Sequence, residues 1–208
     1  MAVCYVVGAG ECTSLPINKQ NGDMIIAVDG GARHLEKFGL KPDAFIGDFD
    51  SLGEIPDGDN VIRLKPEKDV TDMHAAVDEG VSKGFDEFEI FGATGGRLDH
   101  TLANIQLAVS LAQKGIKHII HGEGYCIKAI SNSFDEFDSS YSGYVSVFSH
   151  SDSCVGVSIE GLKYELSNAT LSNSFALGVS NEFIGKKSKI SVENGTLVIV
   201  YTNKKGEE

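Results

Sequence analysis

Over the first part of the chain, short apolar runs alternate with segments whose apolar residues recur at helical spacing. Residues 3–7, 24–28, 44–46, 61–64, 87–91 and 116–120 read as strands, several of them closed by glycine. Between them, Ala32, Leu35 and Phe38 predict a helix that Gly39 ends. Met73, Val77 and Val81 share one face of a second helix, with Thr71 or Asp69 as its cap and Gly84 as its end. Leu98, Leu102, Ile105 and Val109 are the expected apolar face of a third, which Gly115 stops. Strand and helix in alternation predict an open parallel sheet. Past Gly122 the helical spacing disappears. Residues 125–130, 144–148, 155–159, 188–192 and 196–201 are β-type runs, and Asn194-Gly195 signals a type I′ hairpin. Residues 131–143 read as a surface loop with solvated acids. The expected fold is an α/β domain over residues 1–122 and an antiparallel β domain over 123–208.

Composition narrows the class. A chain of 208 residues, 41% hydrophobic and 23% charged, can bury a globular core. A net charge of −12 argues against a nucleic-acid partner, which needs a basic face. It leaves room for a nucleotide, since a bound cation offsets carboxylates and phosphates together. The cysteines Cys4, Cys12, Cys126 and Cys154 form no C-x-x-C pair, and are expected as reduced, buried thiols. The N-terminus has neither a basic leader nor an apolar run long enough for a membrane span, so a cytoplasmic protein without a membrane partner is expected.

The chemistry-bearing residues all follow predicted strands. In KPDAFIGDFDSL (41–52), Asp48 and Asp50 are alternate residues and can face one spot beyond the third strand. Two carboxylates about 4 Å apart repel by roughly 4 kcal/mol at an effective dielectric of 20. A proton or a cation must relieve that, and hard oxygen ligands suit Mg²⁺. Asp69 and Asp72 stand at a helix start after the fourth strand. Gly8 and Gly10 form a turn after the first strand where a nucleotide can approach, although Thr13 replaces the third glycine of a dinucleotide fingerprint. Asp29, before Gly30 and Gly31, either bonds a ribose hydroxyl or caps the following helix. Thr94, Gly95 and Gly96 offer loop amides before a helix, Arg97 a donor fork suited to phosphate, and Asp99 a further acid. Parallel strands bring these groups to one sheet edge, where such folds bind ligands.

In this order the motifs resemble the thiamin pyrophosphokinase family. The matching stretches are DGGARHL (29–35), KPDAFIGDFDSL (41–52), EKDVTD (67–72), FGATGGRLDHTLANI (91–105) and, more loosely, GLKYELSN (161–168) and GVSNEF (178–183). The resemblance implies a three-layer α/β domain followed by a β-sandwich. It also implies a homodimer with active sites shared between subunits, and transfer of the pyrophosphoryl group of ATP to thiamin. Carried onto this chain, Asp48, Asp50 and Asp69 or Asp72 hold Mg²⁺, while Arg97 and the amides of 94–96 hold phosphate. Asp99 either orients Arg97 or helps the metal. Ser180 and Asn181 match the family's thiamin contacts, and Tyr164 stands where some relatives carry Trp. The rival expectations are a Mg²⁺-dependent phosphohydrolase, from Asp-x-Asp after a strand, and a non-catalytic nucleotide or thiamin binding module.

Overall fold

The structure is a computed structural model and describes residues 2–47, 61–63, 70–202 and 204–205. The chain divides into two compact units, Met1–Leu107 with Ile116–Glu123, and Ala108–Gly115 with Gly124–Glu208. Among the described residues no helix is long and apolar enough to cross a membrane.

In the first unit the apolar runs become β1 (Cys4–Val7), β2 (Met24–Val28), β3 (Ala44–Gly47), β4 (Val61–Arg63), β5 (Glu87–Phe91) and β6 (Lys117–Gly122). Helices α1 (Gly31–Lys37), α2 (Asp72–Ser82) and α3 (Leu98–Gln113) alternate with them. The strands lie parallel in the order β6-β5-β1-β2-β3-β4. All four residues of β1 are buried, as expected of a sheet covered on both faces. Leu35 of α1 packs with Tyr5, Val7, Ile25 and Ala27 on one face. On the other, Gly80 of α2 lies against Cys4 and Phe88. The α/β reading therefore holds.

Of the local expectations, one is narrowed and two change. The cap of α2 is Thr71, whose Oγ1 accepts from His74 N at 3.2 Å; Asp69 and Leu64 lie outside the described residues. The predicted face of α3 is rotated. Leu98 and Leu102 are 71% and 54% exposed, while Leu107, Ala108, Val109 and Leu111 are buried. The first turns of α3 present His100 and Asn104 to a cleft that Arg97, just before the helix, also lines, which leaves the two leucines toward solvent. Cys4, Cys126 and Cys154 are buried free thiols, but Cys12 is only half-buried.

The second unit is antiparallel β throughout, apart from the end of α3. Its strands are β7 (Tyr125–Ser131), β8 (Phe134–Phe137), β9 (Tyr141–Ser142), β10 (Tyr144–Ser149), β11 (Ser153–Glu160), β12 (Leu166–Ser172), β13 (Gly178–Glu182), β14 (Ser188–Ser191), β15 (Thr196–Thr202) and β16 (Lys204–Lys205). One sheet runs β13-β10-β15-β7, a second β12-β11-β14-β8, and β16 pairs with β9. Val145, Val147, Leu197 and Ile199 from the first and Cys154, Val157, Ile159 and Ile190 from the second are buried. Cys154 Sγ donates to Thr196 O at 3.2 Å, and the rings of Phe137 and Tyr201 are 5.0 Å apart, so the two sheets share one core.

Residues 131–143 are not the expected loop. They supply β8, which pairs with β14, and Phe137 is buried among Tyr141, Phe183 and Tyr201. Their acids are not all solvated, since Asp135 accepts from Lys128 Nζ at 2.8 Å. Oppositely charged neighbours let an acid-rich strand sit in the sheet. Asn194-Gly195 is not a type I′ hairpin either. Only Gly195 has a positive φ, at 117°, whereas that turn needs two such residues, and the segment links β14 of one sheet to β15 of the other.

Candidate active site

Strand order reverses at β1. The chain steps from β1 to β2, β3 and β4 on one side and returns for β5 and β6 on the other. The loops beyond β1 and β5 therefore meet at a topological switch point, where open α/β sheets receive their ligands. A cleft of ≈ 480 Å³ opens there, walled by residues 8–10 and 92–97, Asp29, Asp72, His100 and Asn104.

The two loops continue the sheet as a ladder. Gly8 N donates to Phe91 O and Gly10 N to Gly92 O, both at 2.8 Å, and Glu11 N donates to Thr94 O at 2.9 Å. The amides of Gly8 and Gly10 thus serve the neighbouring loop, and a ligand meets other surfaces of this turn. Gly92, with φ 59°, is required by the close approach: a Cβ there would sit 2.2 Å from Gly8 O. Gly96, at φ 61°, has open space around it. Thr94 is buried. Two side chains fix the loops. Asn104 Nδ2 donates to Ala93 O at 2.6 Å, and His34 Nε2 is 2.9 Å from Gly10 O, which can only accept, so Nε2 carries the proton. Neither was singled out from the sequence, nor was His100. A polar Asn104 inside the apolar stretch of α3 was the available signal.

Of the two readings of Asp29, the helix cap is not realised, because Gly30 is the N-cap of α1 and no side chain caps it. Asp29 N instead donates to Ile46 O at 3.0 Å, and its φ is 45°. Its carboxylate lies across the end of β3: a Cβ on Gly47 would come within 1.8 Å of Asp29 Oδ1. Gly47 therefore makes room for the Asp29 carboxylate at the end of β3. Asp72 opens α2, half-buried at the cleft wall, where the helix N-terminus favours a negative charge. Asp48, Asp50 and Asp69 lie outside the described residues. Among the described residues no group of three or more potential ligands could hold a metal ion. Asp29 and Asp72 do bring hard oxygen donors of the kind Mg²⁺ takes to this cleft.

Arg97 stands at the rim, 70% exposed at its side chain. Its Nε donates to Asp99 Oδ1 at 3.1 Å and its Nη2 to Asp99 Oδ2. These bonds push the guanidinium further up and hold the Asp99 carboxyl below the usual range, so both are charged at neutral pH. So exposed a pair adds little stability. Its geometric effect is to fix the plane of the guanidinium, whose Nε and Nη2 edge is held by Asp99.

In the second unit, Ser180 and Asn181 lie on β13, where φ of Ser180 is 61° and its N donates to Ser146 Oγ at 3.1 Å. Asn181 is buried, with its carboxamide bonded to the Tyr164 main chain. Tyr164 is 59% exposed.

Comparison with known proteins agrees with this architecture. Residues 18–120 match the family model of the thiamin pyrophosphokinase catalytic domain, and residues 129–197 that of the thiamin pyrophosphokinase vitamin B1 binding domain. Thiamine pyrophosphokinase of Bacillus subtilis is 31% identical over 183 residues, which cover 84% of this chain and 85% of the relative. A crystal structure of the Bacillus subtilis enzyme superposes with a TM-score of 0.86 at 28% identity, covering 97% of this chain and 99% of that one. The Geobacillus thermodenitrificans thiamin pyrophosphokinase gives 0.83 at 29% identity, with 98% of each chain covered. With both of its units matched in chain order, the chain belongs to the thiamin pyrophosphokinase family.

Proposed function

We propose that the switch-point cleft is where the family's reaction takes place, the transfer of the pyrophosphoryl group of ATP to thiamin with release of AMP. The observation that carries this is the convergence on one cleft of a fixed guanidinium, Arg97, and two acids, Asp29 and Asp72. Residues 1–122 bind nucleotide and metal, and residues 123–208 bind thiamin. Gly8, Gly10, Gly30 and Gly31 shape the nucleotide edge, and Asp29 lies within reach of its ribose. Arg97 and the 94–96 loop take phosphate oxygens.

The hydroxyethyl oxygen of thiamin attacks the β-phosphorus, a new O–P bond forms, and the bond from that phosphorus to the AMP oxygen breaks. The hydroxyl proton passes to a carboxylate of the acidic group. Asp48, Asp50, Asp72 and Asp69 would hold Mg²⁺, which when bound neutralises phosphate charge. Such transfers rest on positioning and charge compensation. The acids also favour the cationic thiazolium. Ser180, Asn181 and Tyr164 form the thiamin side. The strained φ of Ser180 supports this, since strain of that kind gathers at functional positions. We further propose a homodimer whose active sites draw on both chains. A cytoplasmic setting goes with ATP as substrate and with four cysteines free of disulfides.

A phosphohydrolase is the weaker reading, because it leaves the match of residues 129–197 unexplained. The test is to incubate the protein with ATP, Mg²⁺ and thiamin and to separate the nucleotides. AMP should form only when thiamin is present. Inorganic phosphate released without thiamin would point to a hydrolase, and saturable binding without AMP to a binding module.

A further inference from the structure

We propose that Asn181 is a positioning residue that acts through Tyr164: its carboxamide splints the Tyr164 main chain and so fixes the exposed ring as the platform for the thiazolium, without itself touching the ligand. This rests on the reading of the second unit as the thiamin side.

The geometry begins with a short ladder. Leu162 bridges to Phe183, and Lys163 N donates to Glu182 O at 3.0 Å. One residue further, the side chain of Asn181 takes over. Asn181 Oδ1 accepts from Tyr164 N at 2.9 Å and from Glu182 N at 2.9 Å, while Nδ2 donates to Tyr164 O at 2.6 Å. A carboxamide offers two donor hydrogens and an oxygen that accepts two bonds, so three of four positions are used. At 4% exposure, little of Asn181 is left to meet a ligand.

A β-bulge explains why Asn181 faces inward. Register between β10 and β13 shifts between Val145 and Val147, and Val179 and Ser180 are exposed in succession before Asn181 is buried. An extra residue in one strand re-aims the side chains that follow it. Tyr164 is in the opposite situation: its main chain is held at both N–H and C=O while the residue as a whole is 59% exposed. Lys163 Nζ lies 5.6 Å from the ring centroid and 2.8 Å from Glu182 Oε1, so its charge is balanced locally. A tyrosine ring held this way suits a flat cationic heterocycle.

A double-mutant cycle on the full-length enzyme tests the inference. Tyr164→Ala should raise the thiamin KM about tenfold, the size of a cation–π contact, and leave the ATP KM unchanged. Asn181→Ala should do the same, and the double variant should match the more impaired single variant. Increases that multiply in the double variant would mean that Asn181 meets thiamin independently, and would overturn the proposal. A Tyr164→Ala enzyme with a normal thiamin KM would instead remove Tyr164 from the thiamin side, and the proposal with it. If Asn181→Ala fails to fold, Asn181→Asp keeps the acceptor and loses the donor. The chain contains no Trp, so Tyr164→Trp gives a single fluorescent reporter. Adding Asn181→Asp should lower its anisotropy and weaken quenching by thiamin several-fold. Unchanged anisotropy and quenching would also overturn the proposal.

Discussion

At the scale of single residues, the cleft contrasts one fixed cation with a set of acids. Arg97→Lys keeps the charge but removes the planar fork that Asp99 holds. Loss of one charge-assisted hydrogen bond to phosphate should lower kcat/KM about 10- to 100-fold, read from AMP formation against ATP concentration. Wild-type kinetics would make Arg97 an ordinary surface charge. Because the Asp99 carboxyl is held low, the pair opens only as pH falls through that lowered value, and it stays closed at higher pH. For the acids the expectation is different. Asp48→Asn and Asp72→Asn should each remove most activity; the melting temperature should hold for Asp48→Asn, which relieves like-charge repulsion and leaves no cavity, and should fall slightly for Asp72→Asn, which gives up a favourable charge at the start of α2. Normal turnover of either variant at limiting Mg²⁺ would take that residue out of the metal site.

At the scale of elements, the strand–helix alternation was legible because buried parallel strands are continuous apolar runs. Antiparallel β12 offers no such run, since only Leu171 of its seven residues is buried. The face of α3 was misjudged for a related reason: periodicity reports an apolar stripe but not which elements cover it, and here the cleft takes the first turns. In the site, the sequence marked Arg97, Asp29 and Asp72, but not the loop supports His34 and Asn104. Their hydrogen bonds go to backbone carbonyls, and those leave no trace in residue spacing. Packing between elements also decides a case where local preference points the other way. Gly80 lies inside α2, where alanine should gain about 1 kcal/mol in helix propensity. A Cβ there would stand 2.6 Å from Phe88 Cε1 and 3.0 Å from Cys4 Sγ, and both residues are fully buried. Overpacking of this kind costs about 1–3 kcal/mol. Gly80→Ala should therefore lower the melting temperature, and a higher one would show that α2 moves off the sheet without penalty. The same burial pushes the Cys4 thiol up to about 12. Brief alkylation of the native protein at pH 8 should modify Cys12 and spare Cys4, as read by peptide mass.

At the scale of the whole molecule, the question is whether one chain suffices for one active site. Arg97 and the acids belong to the first unit, and Tyr164, Ser180 and Asn181 to the second. If each site draws on both chains of a homodimer, lesions in different units can be sorted by mixing. One chain carries Asp48→Asn; the other carries Tyr164→Ala together with Asn181→Ala, assayed at thiamin well below its KM so that the lesion shows. In a mixed two-fold dimer, one site then collects every lesion and the other collects none. Random mixing makes about half of the dimers mixed, so roughly a quarter of all sites are intact. The two variants are unfolded and refolded together, and AMP formation is compared with each refolded alone. Activity approaching a quarter of wild type supports sites shared between chains. If mixed dimers are present by mass and activity stays at the level of the separate variants, each chain builds its own site, because then every site carries a lesion.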